Sequence, residues 1–464
     1  MEFTFDGQKG FRNMGFIEGP LSRFDGLNLL VGTGWDPKLG KQKALTRRKF
    51  TMLMRKALSF AKQNQVREFA IDFKQIKALA PKEMSEPEVA ETVATAFEMT
   101  NYEHRSYKTA PADGFMQVES IEVTNSSAGA KNGFVKGKMV GDAINAAREL
   151  SNTPGGDMTP EIFAETVIKA AEGTTAKVKI LGVAEMTSLG MGAILGIGKG
   201  SVNEPQFVIV EYWGTDRSKK PLVLVGKGVT FDTGGLSLKT GDHMYEMHMD
   251  MSGGAAVVQA VILAAKLGLK KNVIALVPTV ENNVNEHAVR PGDVLKSMSG
   301  KTIEVLNTDA EGRVILADAI TYAKKYNPTA VVDVATLTGA ALVALGTVAS
   351  AYMTNKESLI PSLLDLGEES GDYLWPMPMW EEYDEMTKGT FGDVPNISTM
   401  GNSRYGGVIA GGKFLEVFAK DLECPWVHID MAPVMTSRPG DYLAKGAAGA
   451  PVRLLLKMIE NGVK

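Results

Sequence analysis

Leu222-Val-Leu-Val-Gly-Lys-Gly-Val-Thr-Phe-Asp-Thr-Gly-Gly235 starts as an apolar run and ends in a polar, glycine-rich turn. A short continuous apolar run fits a strand covered on both faces, as in a parallel sheet packed between helices. Similar runs lie at residues 178–181, 207–213, 272–278 and 330–335, with helix-like stretches between them. The pattern predicts an α/β unit with a mostly parallel central sheet. In such sheets ligands bind beyond the carboxyl ends of the strands, so the residues that follow each run carry the functional reading.

Working outward, residues 314–326 read as a helix and residues 140–150 as a connecting helix that stops before Asn152-Thr-Pro-Gly-Gly156. Before that point the chain alternates strand and helix signals on a smaller scale. Residues 27–31, 68–73 and 116–124 read as strands, and 87–103 as a helix. Phe50, Leu53, Met54, Ala57, Leu58 and Ala61 fall on one helical face. Asn125-Ser-Ser-Ala-Gly-Ala-Lys-Asn-Gly133 is small and polar and reads as the linker. The expected organisation is a smaller N-terminal α/β domain over residues 1–134 and a larger one over 135–464.

Composition narrows the function. With 464 residues, 44% hydrophobic and 22% charged, the chain has the balance of a globular protein with a large core. Lys+Arg 50 against Asp+Glu 54 leaves −4, which argues against a dedicated nucleic-acid binder. A single cysteine, Cys424, excludes a disulfide framework and a Cys-built zinc site. Residues 1–20 lack the apolar core of a signal peptide. Residues 330–353, the most apolar stretch, hold Asp333 and several glycines and read as a strand plus a packed segment, with no membrane span expected. A cytoplasmic protein is the expectation.

The loops after the strands concentrate charge. Lys227 and Asp232 follow the 222–225 run, Lys239 and Asp250 come next, and Asn307-Thr-Asp-Ala-Glu-Gly-Arg313 places Asp309, Glu311 and Arg313 at a turn into a helix. Taken singly, each is more simply a turn or cap residue. Four carboxylates converging on one sheet edge would repel unless cations sat among them, and two divalent metals would resolve this. Oxygen donors with one amine suit zinc, manganese or magnesium better than copper. A ligating Lys227 would have to be neutral. Other signals are weaker. Gly196-Ile-Gly-Lys-Gly200 lacks the full dinucleotide pattern. His248 reads as a neighbour of the site or a surface residue, His428 as a satisfied core histidine, and Cys424 as inert. No Gly-x-Ser-x-Gly elbow is present to seat a serine nucleophile.

Asn307-Thr-Asp-Ala-Glu-Gly-Arg313 resembles the signature of the leucyl aminopeptidases, a family of dinuclear metallo-exopeptidases. The steps of five, seven and eleven between Lys227, Asp232, Lys239 and Asp250 resemble that family's metal and catalytic loops. Asn152-Thr-Pro, Met158-Thr-Pro, Arg290-Pro-Gly-Asp, Ala335-Thr-Leu-Thr-Gly339, Trp375-Pro-Met-Pro and Lys445-Gly-Ala-Ala-Gly add to the likeness, which covers nearly all of the chain after residue 140. Before that, the match is in architecture and length only. One departure is His248, where the family usually has lysine.

The resemblance implies a macro-like N-terminal domain and a catalytic domain with a dinuclear metal site. It implies Asp232 and Glu311 as bridging ligands, Asp309 completing one metal site, and Lys227 and Asp250 completing the other. The ions would be Mn2+ or Zn2+, with Mg2+ a further option, two per subunit. Lys239 would stabilise the oxyanion, and Arg313 would hold a bicarbonate that shuttles the proton. Met247, Thr336, Leu337, Gly339, Ala432 and Met435 would contact the substrate, a peptide with a free N-terminus and a hydrophobic first residue, leucine foremost. A homohexamer, a dimer of trimers, is implied, with no membrane partner and no nucleic acid. The rival expectation is a DNA-binding or regulatory relative with secondary or no peptidase activity.

Overall fold

The computed structural model describes residues 1–5, 11–34, 45–401 and 405–463. Part of the 1–20 stretch, residues 6–10, lies outside the described residues. The chain divides into two compact units, residues 1–145 with 437–446, and residues 146–436 with 447–464.

The first unit carries β1 (Glu2–Thr4), β2 (Arg12–Ile17), β3 (Arg23–Phe24), β4 (Asn28–Gly32), α1 (Arg47–Gln63), β5 (Glu68–Asp72), α2 (Phe73–Leu79), α3 (Glu86–Asn101) and β6 (Ser120–Thr124). The strands form one sheet in the order β1-β6-β5-β2-β4-β3, parallel except where β3 meets β4. The expected apolar face of α1 is the buried one: Phe50, Leu53, Met54, Ala57, Leu58 and Ala61 all enter the core. Helix α3 opens on a capping box, in which Ser85 and Glu88 satisfy each other's backbone N–H groups.

Helix α4 (Ala128–Asn152) takes up most of the stretch read as a linker. The small residues that suggested a loop are instead a packing seam. A Cβ at Gly133 would meet the Pro87 carbonyl and Ala90, and one at Gly137 would meet the Glu91 carbonyl and Ala94. At i, i+4 spacing these glycines let α4 lie directly against α3, a geometry that composition alone cannot distinguish from a flexible tether.

The second unit holds α5 (Pro160–Ala171), β7 (Lys177–Leu181), α6 (Val183–Ser188), α7 (Gly192–Gly198), β8 (Gln206–Trp213), β9 (Leu222–Gly226), β10 (Gly228–Asp232), α8 (Gly241–Met244), α9 (Ser252–Lys266), β11 (Asn272–Asn282), β12 (Val294–Lys296), β13 (Thr302–Glu304), α10 (Glu311–Ala323), β14 (Ala330–Ala335), α11 (Gly339–Leu345), β15 (Ser350–Thr354), α12 (Ile360–Ser370), β16 (Leu374–Pro376), β17 (Val394–Pro395), α13 (Gly407–Ala419), β18 (Trp426–Asp430) and α14 (Val452–Asn461). Its main sheet runs β16-β15-β18-β14-β9-β11-β8-β7, with β10 also on β11. The centre, β18-β14-β9-β11, is parallel, and antiparallel pairs flank it. Every residue of β9, β11, β14 and β18 is buried, as the apolar runs at 222–225, 272–278 and 330–335 foretold for the first three. The apolar stretch at 330–353 resolves into β14, α11 and most of β15, and the glycine run at 196–200 falls in and just after α7, where Gly196 packs on Leu295 and Gly198 on Pro205.

Two buried polar groups shape this core. Asp318, on α10, accepts from the Ala193 and Ile194 N–H groups at the start of α7 (3.0 Å each) and from Met298 N–H at 2.7 Å. Burial pushes its carboxyl up to about 7, against the pull of those donors. His428 is fully buried on β18, opposite Asp333 on β14. Its Nδ1 lies 2.5 Å from one Asp333 oxygen, and Trp426 Nε1 donates to the other at 2.6 Å. Burial lowers the His428 pKa, Asp333 raises it, and the net shift is upward. The core reading of His428 thus fits Nδ1, while Nε2 has no hydrogen-bond partner among the described residues.

A folded-state pKa above the unfolded value makes the Asp318 contribution largest below about pH 4 and progressively lost as pH rises through about 7. Asp318→Asn should therefore flatten the fall in melting temperature across that window, read as the difference between wild-type and variant curves. Asp318→Ala leaves three buried N–H donors unpaired and should cost about 3 kcal/mol or more in denaturant titration.

Candidate metal centre

Strand ends deliver the charged residues. Lys227 follows β9, Asp232 closes β10, Thr336 follows β14, and Asp430 closes β18. Asp250 follows a single 3-10 turn, Met247–Met249, that leads towards α9, and Glu311 is the first residue of α10. Lys227, Asp232, Asp250 and Glu311 are each at most 3% exposed. Positive-φ Gly234 and Gly235 turn the chain back from Asp232 towards Lys239. At Gly312 a Cβ would strike the Lys227 side chain, so the lysine reaches Glu311 only because that position is glycine.

Two ammonium groups stitch the carboxylates together. Lys227 Nζ donates to Asp250 Oδ1 at 2.8 Å and to the Thr336 carbonyl at 3.0 Å, and lies 2.7 Å from Asp250 Oδ2 and 2.8 Å from Glu311 Oε1. Lys239 Nζ lies 2.8 Å from Asp232 Oδ2 and pairs also with Asp309. Asp232, Asp309 and Glu311 bring carboxylate oxygens within 4.8 Å of one another. Asp250 stands outside that trio and is joined to Glu311 through Lys227.

The charges do not balance. Four carboxylates against two ammoniums leave a formal −2 in a buried site. Desolvation raises the pKa of Asp232, Asp250 and Asp309, and mutual repulsion adds to it. Burial lowers the pKa of both lysines, but the surrounding carboxylates outweigh it and raise them. Glu311 Oε2 is buried with no hydrogen-bond partner among the described residues. An acidic cluster with an unsatisfied buried oxygen and a carboxylate-rich donor set fits hard divalent cations. Cation binding would also supply the field needed for Lys227 to lose its proton and act as a ligand.

The remaining expected residues divide into groups. Thr336 is buried and donates from Oγ1 to Asp250 Oδ1 at 2.7 Å, so it braces a carboxylate of the centre. Arg313 is buried two residues beyond Glu311. Burial pulls its guanidinium below its ordinary pKa, and its Nε has no hydrogen-bond partner among the described residues. Leu337 follows Thr336, and Gly339 opens α11. Ala432 and Met435 follow β18 and are half-buried, as is Met247. None of Leu337, Gly339, Ala432, Met435 or Met247 bonds to a carboxylate of the centre through its side chain. His248 is half-buried in the turn before Asp250. Cys424 is half-buried, and burial pushes its thiol pKa up, which agrees with an inert thiol.

Several supporting residues were not singled out from the sequence, although one of them, Thr308, lies inside the Asn307–Arg313 stretch. Asn282, at the end of β11, donates to Asp232 Oδ1 at 2.8 Å and to the Thr308 carbonyl at 2.9 Å. Thr308 Oγ1 donates to the Gly234 carbonyl at 2.6 Å and accepts from Ser237 N–H at 2.7 Å, tying together the two loops that carry the carboxylates. Asn396 is fully buried. Its amide donates to the Asn307 carbonyl at 2.6 Å, and its oxygen accepts from Leu306 N–H at 2.8 Å. Their partners lie 26 to 90 residues away in sequence, and Asn carries no motif of its own.

Comparison with known proteins gives a consistent picture. The profile of the cytosol aminopeptidase family, catalytic domain, matches residues 145–456. A probable cytosol aminopeptidase of Chromobacterium violaceum is 45% identical over 335 residues, which is 72% of this chain and 63% of that protein. The chain thus spans less than two thirds of that relative's length in the match. A probable cytosol aminopeptidase of Methylobacillus flagellatus is 39% identical over 437 residues, 93% of this chain and 84% of that protein. Among solved structures, the bottromycin maturation enzyme BotP in complex with Mn superposes with a TM-score of 0.84 at 28% identity, covering 97% of this chain and 99% of that one.

Outer partners of metal ligands typically change affinity by about 10–100-fold when removed. Asn282→Ala should weaken divalent-cation binding within that range, measured in metal buffers by mass spectrometry, without altering the far-ultraviolet circular dichroism.

Proposed function

The chain belongs to the cytosol aminopeptidase family, and on that premise we propose that it is a cytoplasmic, metal-dependent hydrolase that removes the N-terminal residue of peptides. Its preference would be for leucine and other hydrophobic residues. The observation that carries this reading is the carboxylate trio of buried Asp232 and Glu311 with half-buried Asp309, extended by Lys227 to Asp250. These five residues would hold two divalent cations per subunit. Mn2+ or Zn2+ are the first choices and Mg2+ the next, and the Mn of the BotP complex supports a divalent ion in this fold. Bound there, the cations would supply Lewis acidity and lower the pKa of an attacking water.

The chain's own groups supply the rest. The Lys239 ammonium lies beside Asp232 and Asp309, and its side chain is 14% exposed, which supports a role against the negative charge that develops on the carbonyl oxygen. The Arg313 guanidinium, buried and with Nε lacking a partner, suits a small anion, and bicarbonate as proton shuttle is our assignment. A free α-amine is a donor that a cation held there could accept, and an internal peptide bond offers none. Met247, Thr336, Leu337, Gly339, Ala432 and Met435 would line the substrate's course, and each methylene they bury adds about 0.8 kcal/mol. Selectivity among apolar side chains should therefore be modest.

Assembly as a homohexamer, a dimer of trimers, belongs to the same proposal, with residues 1–134 serving assembly and 135–464 catalysis. The alternative of a DNA-binding regulator gains nothing from the fold or the comparisons.

Chelator-stripped protein should not release p-nitroaniline from leucine-p-nitroanilide, and Mn2+ or Zn2+ should restore release. The N-acetylated substrate should stay intact. Absence of release with any divalent metal would sink the reading. Lys239→Ala should lower kcat by about 10²–10³-fold while full metal occupancy persists. Loss of metal in that variant would make Lys239 a ligand instead.

A further inference from the structure

We propose that Asp430 is a positioning residue that sets the enzyme's side-chain selectivity by tying together the two segments that wall the substrate pocket. The inference rests on the aminopeptidase reading above. Asp430 closes β18 and is completely buried; no cation pairs with it directly among the described residues, although the buried Arg313 guanidinium interacts with it electrostatically. A buried carboxylate with no cation in direct contact relies on hydrogen bonds to replace its water. Asp430 accepts four: Oδ1 from the N–H groups of Leu337 (3.1 Å), Thr338 (3.4 Å) and Ala432 (3.2 Å), and Oδ2 from the Thr338 hydroxyl (2.7 Å).

These donors belong to two stretches of chain. Leu337 and Thr338 follow β14, while Ala432 follows β18 itself. The strands are parallel neighbours, with Ala335 in register with Asp430, so the two chains leave the sheet side by side. Where the ladder ends, one backbone bond, Met431 N–H to the Ala335 carbonyl at 2.8 Å, continues it. Beyond that bond the carboxylate joins the segment bearing Leu337 and Gly339 to the segment bearing Ala432 and Met435. It also fixes Thr338, whose hydroxyl caps α11 by accepting from Ala341 N–H at 3.1 Å. The strand interiors do not need Asp430, because their apolar residues pack among themselves. A neutral side chain could not offer acceptors at both oxygens to all four donors. The geometry therefore serves the spacing between two loops, which on the reading above is the width of the substrate pocket.

The test uses the full-length, metal-loaded protein. Asp430→Ala, Asp430→Asn, Thr338→Val and Thr338→Ser are compared on leucine- and alanine-p-nitroanilide, with metal content and melting temperature measured in parallel. Asp430→Ala should raise KM for the leucine substrate by about tenfold, lower the leucine-to-alanine ratio of kcat/KM by about fivefold, and move kcat by no more than about threefold. Asp430→Asn should fall between it and wild type. Thr338→Val should shift KM and selectivity in the same direction by less, and Thr338→Ser should restore both. Metal content should stay at the wild-type value throughout. If Asp430→Ala does not fold, Asp430→Asn and the Thr338 pair decide. Unchanged selectivity, a fall in kcat at constant KM, or loss of metal in Asp430→Asn would overturn the proposal. A metal-loaded wild type that cleaves neither substrate would overturn the aminopeptidase reading first, and this inference with it.

Discussion

Repulsion among four carboxylates at a buried sheet edge is the constraint around which the second unit is organised. Two like charges about 4 Å apart repel by about 4 kcal/mol at an effective dielectric of 20. Asp232, Asp309 and Glu311 stand about that close, and Asp250 joins them through Lys227. Two lysines relieve part of the strain. Neutral groups hold the remainder in place: Asn282 on Asp232, Thr336 on Asp250, and Thr308 between the loops. Without such bracing the loops would swing apart to separate their charges. The sheet supplies the rigid edge, and the loops supply the charged residues gathered there.

How far this was legible in the sequence depended on whether each signal was local. The apolar runs at 222–225, 272–278 and 330–335 announced buried strands because burial on both faces leaves an uninterrupted apolar signature. The face of α1 was legible from its period. The charged residues were found because they follow strand ends, and their assignment to a metal centre drew on the resemblance carried by Asn307–Arg313. The stretch at 125–133 misled because glycine serves both a tether and a close helix contact, and only the partner helix distinguishes them. Asn282, Asn396, Asp318 and Asp430 were invisible for a different reason. Each acts on backbone groups far away in sequence, and a lone Asn or Asp inside or beside an apolar run has no spacing to read.

These anchors share a chemical logic. Asp318 caps the start of α7, Asn396 grips the turn before α10, and Asp430 joins the ends of β14 and β18. Each sits where backbone donors or acceptors leave regular structure and would otherwise be buried unpaired, so each replaces water that the core excludes. The site is thus framed by polar groups that stand outside the carboxylate–lysine cluster.

The pairing of β14 carries a consequence for how such a protein can change over time. The strand is matched residue by residue to β9 on one side and β18 on the other, without a bulge in either ladder. An insertion or deletion of one residue within it would turn Asp333 away from His428 and move Thr336 and Thr338 out of step with Asp430 on β18. Length variation should therefore be barred from the central strands and confined to turns at the opposite edge of the sheet. Descendants of this chain can alter the composition of the loops at the charged edge, but the sheet fixes the points from which those loops depart.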